Sequence, residues 1–266
     1  MMHPRKAVLN AVITIVCVLG MQGYSRSQSV STPVSNPEIR SAPIPPEKTE
    51  EGKADAGGIV EGVVRYRPDP GRIWRYSRYY VREPSDGGLA EAVVVLGGAV
   101  PTGSVRDVPA RTNTVDQVDF QFVPETLAIR AGDAVKFLNS DESIHNVMTS
   151  DGDEPFNVNM VKDGEFVHTF RQAGGVEKPI RLGCVFHGGM RAWVYIFDHP
   201  WFQVTGKDGR FRLESVPPGD YTIEMIHPAG KLQSSRRIAV KPRETTALVI
   251  EVSPDDVLVP KQTAAD

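Results

Sequence analysis

Cysteine is scarce in this sequence, which holds Cys17 and Cys184 among its 266 residues. The segment from Ala7 to Leu19 is almost wholly apolar, follows a basic start and precedes small or polar residues, as in a secretory leader. Removal of a leader spanning residues 1–25 would take Cys17 with it and leave one thiol in an oxidising compartment. That thiol has no partner for an intramolecular disulfide, so a metal ligand is the natural role for Cys184.

A long hydrophobic run is also missing. The apolar stretch near the N-terminus is too short for a comfortable membrane span. Cleavage near Ser25 is predicted because Gly23 and Ser25 are small at alternate positions, with an uncleaved anchor as the alternative. A lipoprotein signal at Cys17 is disfavoured because the preceding Val16 is bulky. We therefore expect a periplasmic or extracellular protein.

The sequence also lacks an excess of positive charge and the common catalytic motifs. The formal net charge is −3, and the leader would take the positive charges of Arg5 and Lys6 with it. This acidic balance does not favour a nucleic-acid partner. The chain has no Gly-x-Ser-x-Gly elbow, His-Glu-x-x-His motif, Cys-x-x-Cys pair or phosphate-binding glycine loop. We therefore expect no enzymatic activity, and no small-molecule substrate is evident.

The sequence does contain many short segments in which apolar and polar residues alternate, as in β-strands, separated by residues typical of turns. No stretch has a sustained helical period, and 24 glycines and 21 prolines suit many short strands, so we predict an all-β chain. Residues 26–57 are rich in Ser, Pro, Glu and Lys and predict a disordered linker. Residues 101–115 have few packing signals and predict a loop. Strands are predicted near residues 60–66, 92–96, 120–124, 127–129, 134–138, 166–170, 180–184, 192–197, 202–205, 211–214, 221–225, 237–241 and 246–252.

Four residues together carry the donors of a mononuclear blue-copper centre. His145 ends a polar loop, and Cys184, His187 and Met190 follow on one later loop with the spacing Cys-x-x-His-x-x-Met. In such centres two His and one Cys lie roughly in a plane with the metal, and Met is a weak axial ligand. The sequence therefore predicts one type 1 copper ion bound by these four residues.

Each of the four residues has a common structural role when it stands alone. A loop His usually bonds to backbone, a Met fills core space, and a buried Cys packs as a small apolar group. The combined spacing is what favours copper. Zinc is the nearest rival metal, but it rarely takes a Met ligand and usually wants another His or Cys. A His-x-His pair is absent, so the trinuclear cluster of a multicopper oxidase has no obvious ligands.

The stretch from Phe120 to Phe197 resembles the cupredoxins, especially the plastocyanin and amicyanin branch. The resemblance implies a Greek-key β-sandwich over residues 115–199, with His145, Cys184 and His187 as strong copper ligands and Met190 as the axial one. It also implies that Asn146 lies beside the ligands and bridges their two loops. These families often carry proline in the later loop, which here is filled by other residues, so we expect a different potential and docking surface. The residues that carry the resemblance are Phe122-Val123-Pro124, Gly132-Asp133, Asn139-x-Asp141, His145-Asn146-Val147 and Cys184-x-x-His187-x-x-Met190.

The residues on either side carry four further motifs, namely Gly62-Val63-Val64, Ala92-Val93-Val94, Val204-Thr205-x-x-Asp208-Gly209-x-Phe211 and Pro217-Pro218-Gly219-x-Tyr221. With these motifs the flanking residues resemble the carboxypeptidase regulatory-like (transthyretin-like) β-sandwich. The resemblance implies a small prealbumin-like β-sandwich built from residues 58–100 and 201–253, with the cupredoxin inserted into it and a loose tail over residues 254–266. The layout is similar to that of exported bacterial proteins often labelled methylamine-utilisation-like, a label that assigns no substrate.

Residues 71–82 mix arginines with aromatic side chains. Such a stretch can stack on a sugar, a nucleic acid or a partner protein. Alternatively, it packs its rings on the neighbouring sheet and exposes its arginines, which we favour because aromatic burial is the commoner use.

The predicted function is that of an exported blue-copper protein that passes single electrons between redox protein partners. The alternative is a copper-binding or storage module without redox cycling, or a cell-surface adhesion module built on the regulatory-like sandwich.

Overall fold

The computed structural model describes residues 57–81, 86–101, 109–152 and 154–256. The predicted leader, the predicted linker up to residue 56 and the predicted tail from residue 257 lie outside the described residues. Within the described part of the chain, no helix has the length and apolar character of a membrane span.

The described residues form sixteen strands and one short helix, which confirms the predicted all-β fold. The elements in chain order are β1 (Gly58–Tyr66), α1 (Trp74–Arg78), β2 (Val93–Gly97), β3 (Thr112–Val118), β4 (Gln121–Val123), β5 (Thr126–Arg130), β6 (Ala134–Asn139), β7 (His145–Thr149), β8 (Phe156–Met160), β9 (Glu165–Thr169), β10 (Ile180–Gly183), β11 (Arg191–Phe197), β12 (Phe202–Val204), β13 (Arg210–Val216), β14 (Gly219–Ile226), β15 (Gln233–Val240) and β16 (Thr245–Val252).

Strands β3 to β11 form two facing sheets, here called the central sandwich. One sheet has the order β4-β3-β6-β9 and the other the order β5-β11-β10-β7-β8. Two of the pairs, β3 with β6 and β5 with β11, are parallel, while the others are antiparallel. Alternate side chains of each strand point between the sheets and form a continuous apolar core. That core includes Val115, Phe122, Ile129, Val135, Phe137, Val147, Leu182, Val194 and Ile196.

The strands on either side of this unit in the chain form a second pair of sheets, here called the flanking sandwich. Its sheets have the orders β13-β1-β16 and β12-β2-β14-β15. They enclose a separate apolar core that includes Val60, Val64, Val94, Leu96, Phe211, Leu213, Tyr221, Ile223 and Ile250. The central sandwich therefore lies between β2 and β12 in the chain.

A third apolar cluster joins the two sandwiches. In β2, Val94 faces the core of the flanking sandwich, whereas Val93 and Val95 contact Tyr195 and Phe197 of β11. Strand β11 is also used on both faces, since its alternate residues belong to the central core. All of these side chains are almost fully buried, so the sandwiches share a dry interface that holds them together.

The structure differs from the sequence prediction in several segments. Strand β3 begins at Thr112, inside the stretch that we predicted as a loop, because Val115 and Gln117 turn inward and pair through β4 and β6. Strand β8 was not predicted; it is an edge strand in which Phe156 and Val158 are partly buried and only Met160 is fully buried. Helix α1 was not predicted either, and its five residues are too few to show a helical period.

The arginine-aromatic stretch packs mainly within the flanking sandwich. Tyr79 is buried and stacks on Tyr66 at 5.6 Å, as the favoured interpretation expects, but the interpretation is wrong for Trp74, whose side chain is exposed. The prediction that its arginines are exposed is wrong for Arg75, which is largely buried and pairs with Asp69 and Asp255. The carboxylates of those two residues neutralise the guanidinium, which makes its burial possible.

Candidate metal centre

A single asparagine shapes the loop that delivers His145. The side-chain amide of Asn139 donates hydrogen bonds to the carbonyl oxygens of Ser143 and Met160, both at 2.9 Å. Its side-chain oxygen accepts the N–H of Asp141 at 3.1 Å. These three bonds satisfy backbone groups that the loop leaves without strand partners, and β7 then starts with the fully buried His145.

The second loop is the connection between β10 and β11. Strand β10 ends at Gly183, which pairs with Arg191 at the start of β11, so the residues from Cys184 to Met190 form the loop that this pair closes. Inside the loop the N–H of Met190 donates to the carbonyl oxygen of His187 at 2.9 Å. This hydrogen-bonded turn brings His187 and Met190 close together in the loop.

The two loops bring three donor atoms together. The Nδ1 atoms of His145 and His187 are 3.1 Å apart, and Sγ of Cys184 lies 3.7 Å from Nδ1 of His187. All three ligand atoms lie within 4.8 Å of one another, and this is the one such group of three or more His, Cys, Asp or Glu in the part of the chain that the structure describes. Donors that each bind one ion at about 2.0–2.3 Å have separations of this size. The donor set therefore fits a single transition-metal ion.

Met190 lies next to this group in the fold. Its side chain is almost fully buried and belongs to the same apolar cluster as Cys184. A thioether is a soft sulfur donor, a type that suits copper better than zinc.

Asp141 fixes the orientation of His145. Its Oδ2 atom lies 2.7 Å from Nε2 of His145, and its two oxygens also accept the N–H groups of Asp119 and Phe120 at 2.8 and 3.0 Å. Burial acts to raise the pKa of Asp141, but these hydrogen bonds outweigh it and hold the pKa below its usual value. A carboxylate accepts the proton of Nε2, which leaves the lone pair of Nδ1 for a metal.

Phe120 contacts both histidines at once. Its ring meets that of His145 at 5.2 Å and that of His187 at 4.9 Å, both edge to face. The residue has a φ of 60°, a conformation that costs an ordinary side chain energy and that the hydrogen bonds to Asp141 hold in place. Our sequence reasoning missed these roles of Asp141 and Phe120. The carboxylate four residues before His145 was a usable signal, whereas nothing near Phe120 in the sequence links it to the histidines.

Asn146 connects the first loop with the second. Its side-chain amide donates to the side-chain oxygens of Asn157 and Asn159 on β8. Its own side-chain oxygen accepts the N–H of Val185, the residue after Cys184, at 3.4 Å. The buried amide therefore spans from β8 to the loop that carries the thiol.

Two other histidines lie in the flanking part of the fold and not in the cluster. His227 accepts the N–H of Ala229 at Nδ1 and donates from Nε2 to the carbonyl oxygen of Ala90 at 3.1 Å. Burial lowers the pKa of His227 to about 4. His199 accepts the N–H of Trp201, and burial lowers its pKa as well. Both side chains act as neutral hydrogen-bonding groups.

The segment that carries these donors is similar to known proteins. Residues 109–190 match the family model described as copper binding proteins, plastocyanin/azurin family. Amicyanin from Paracoccus versutus (Thiobacillus versutus) is 26% identical over 39% of this chain and 96% of its own, with a TM-score of 0.29. The copper-containing nitrite reductase from Thermus scotoductus SA-01 is 24% identical over 32% of this chain, with a TM-score of 0.30, and this chain covers 22% of that enzyme.

At such TM-scores these structural likenesses carry no argument about function, and no curated protein matches the chain. The match to the family model is the informative finding. The matched segment, residues 109–190, contains all three residues of the donor cluster and ends at Met190, so this part of the chain is similar to the copper-binding domain of the plastocyanin/azurin family.

Proposed function

We propose that this chain is an exported type 1 copper protein that passes single electrons between redox protein partners, and that it is not an enzyme. His145, Cys184 and His187 would be the strong ligands of one copper ion and Met190 the axial ligand. The observation that carries the proposal is the convergence of two imidazole nitrogens and one thiol in a segment that matches a copper-binding family. Bound copper would supply one-electron chemistry, since sulfur donors suit Cu(I) and imidazole suits both oxidation states.

The residues around the ligands support a carrier because they limit rearrangement. Asp141 holds the ring of His145, and Asn146 ties β8 to the loop of Cys184. These contacts hold the loops that bring the three donor atoms within 4.8 Å of one another. Such preorganisation keeps the geometry similar in both oxidation states, and outer partners of this kind tune a metal site.

Electrons would enter and leave near His187, which is the partly exposed member of the cluster. Four apolar side chains near the two histidines are each about half exposed: Phe120 in the turn between β3 and β4, Ile144 before His145, and Val185 and Phe186 before His187. Exposed apolar side chains at the rim of a site are typical of a protein–protein contact surface. Val185 and Phe186 thus offer apolar surface in the loop where relatives often carry proline.

The flanking sandwich would serve as a spacer or docking module. We propose that it is a carboxypeptidase regulatory-like domain and that the copper domain is inserted into it. The nested order of strands and the dry interface between the two sandwiches support this arrangement. The apolar N-terminal stretch would direct export. The exported protein would keep one unpaired thiol, and its role as a copper ligand would explain why that thiol has no disulfide partner.

Voltammetry of the copper-loaded full chain tests this function against storage. An electron carrier gives a reversible one-electron wave, and mixtures of oxidised and reduced protein exchange electrons fast enough to broaden NMR signals of the ligand loop. The variant His145→Ala is the matched control, because it removes one ligand and should abolish the reversible wave. Copper held only as Cu(I), without redox cycling, contradicts the carrier and favours storage.

A further inference from the structure

The loop from Cys184 to Met190, here called the metal loop, is closed by the backbone pair of Gly183 and Arg191. The side chain of Arg191 also begins a series of contacts that reaches the flanking sandwich. Arg191 pairs through its backbone with Gly183 and directly follows Met190. Its guanidinium lies 5.6 Å above the ring of Trp193, and its Nε atom is 3.6 Å from Oε1 of Glu125. The side chain of Arg191 is therefore held at the point where the metal loop rejoins β11.

Glu125 is fixed to the same strand and to the flanking sandwich. Its backbone oxygen accepts the N–H of Trp193 at 2.9 Å, which anchors it to β11. Its carboxylate accepts the hydroxyl proton of Tyr80 at 2.7 Å. Tyr80 follows α1 in the flanking sandwich, so one carboxylate contacts a residue from each sandwich.

Tyr80 is itself rigidly placed. Its ring lies 5.5 Å from that of the buried His227, which is hydrogen-bonded to Ala90. Its φ is 56°, a left-handed conformation that is unfavourable for residues other than glycine. Burial, followed by the hydrogen bond and charge of Glu125, raises the pKa of Tyr80 to about 12. The phenol is therefore protonated and acts as a donor at neutral pH.

We propose that Tyr80 is a positioning residue through which the flanking sandwich holds the closing end of the metal loop, by way of Glu125 and Arg191. The inference rests on the proposed copper function and extends it to a residue outside the copper domain. Loss of the Tyr80 hydroxyl frees the carboxylate of Glu125, and the guanidinium of Arg191 then loses a fixed counter-ion. The start of β11, which carries Met190 on its N-terminal side, becomes looser as a result.

The hydrogen bond between Tyr80 and Glu125 is not needed simply to hold the two sandwiches together. The apolar cluster of Val93, Val95, Tyr195 and Phe197 already joins the two units. The hydroxyl of Tyr80 instead meets a carboxylate that faces the residue after Met190. The backbone conformation of Tyr80 is unfavourable for its residue type, and strain of this kind tends to occur at functional positions.

The test compares Tyr80→Phe with Tyr76→Phe in the copper-loaded full chain. Tyr76 lies in the same segment, and its hydroxyl accepts the N–H of Asp69 within the flanking sandwich. Tyr76→Phe is therefore a matched control that also removes one tyrosine hydroxyl. We expect Tyr80→Phe to speed Cu(I) transfer to excess chelator about three- to tenfold, below the 10–100-fold effect of residues that touch metal ligands. Hydrogen exchange at the amides of Met190 and Arg191 should accelerate as well, whereas Tyr76→Phe leaves both rates at the wild-type value.

Glu125→Gln separates the two halves of the contact chain. The amide oxygen still accepts the Tyr80 proton, but the charge that faces Arg191 is gone, so this variant should loosen the loop in the same direction. In the Glu125→Gln background, Tyr80→Phe should then change the Cu(I) transfer and hydrogen-exchange rates less than it does in the wild type, because the two residues act through the same series of contacts. Wild-type rates in Tyr80→Phe, or equal changes in Tyr76→Phe, overturn the inference. A wild-type protein without copper–thiolate absorption overturns the proposed function instead, while hydrogen exchange still decides on the positioning role.

Discussion

The Oδ2 atom of Asp141 lies 2.7 Å from Nε2 of His145, so the carboxylate determines which nitrogen of the buried ring faces the cluster. The same carboxylate holds the N–H groups of Asp119 and Phe120. One side chain thus couples the turn between β3 and β4 to the first proposed ligand. The aromatic ring that covers both histidines depends on it too.

Replacement of Asp141 should weaken metal binding. We expect Asp141→Ala to lower copper affinity by about 10- to 100-fold, the usual effect of losing the hydrogen-bond partner of a ligating histidine. Asp141→Asn should lie between this variant and the wild type, because one amide oxygen remains to accept a proton. Competition with a chelator measures the affinities. Glu142→Ala, one residue along the same loop and exposed, is the control, and an equal loss in that variant contradicts a specific role for Asp141.

Phe120 should slow the exchange of bound copper. Edge-to-face aromatic contacts contribute about 0.5–1.5 kcal/mol each, and about 1.4 kcal/mol corresponds to a factor of ten. We therefore expect Phe120→Ala to release copper about 2- to 10-fold faster, with little change in the free energy of unfolding because the ring is half exposed. Val123→Ala removes a similarly exposed apolar side chain from the adjoining β4. Unchanged release from Phe120→Ala would show that the ring does not cover the site.

His227 should make the folded state sensitive to acid. Its pKa is about 4 in the folded chain, and an unfolded histidine has a pKa near 6.5. Between these values the unfolded chain binds the proton and the folded chain does not, so stability falls as the pH falls from about 6.5 to about 4. The full effect is about 3 kcal/mol. Denaturant unfolding at several pH values should show this component in the wild type and its loss in His227→Gln, and parallel curves for the two proteins would refute it.

Much of the fold follows from local patterns. The alternation in β14 predicts a strand with one buried face, and the continuous Val93–Val95 run is buried on both faces in the structure. The spacing of Cys184, His187 and Met190 predicts a shared site.

What could not be predicted depends on partners distant in sequence. Gln117 is polar yet fully buried, because its side-chain amide donates to the carbonyl oxygen of Leu138 and to the sulfur of Met160. No residue pattern within β3 predicts these hydrogen-bond partners. The burial of Arg75 likewise needs Asp255, which lies 180 residues further along the chain. The contact of Phe120 with both histidines arises when two loops meet, so no single stretch of sequence contains it.

The central claim is that Cys184 binds copper as a thiolate beside His145 and His187, and the visible absorption spectrum of the copper(II)-loaded chain tests it most directly. The account predicts an intense blue thiolate-to-copper(II) band in the wild type and its complete loss in Cys184→Ser, with copper held weakly or not at all by the variant. A colourless copper(II) complex of the intact protein, or a band that survives in Cys184→Ser, would contradict it.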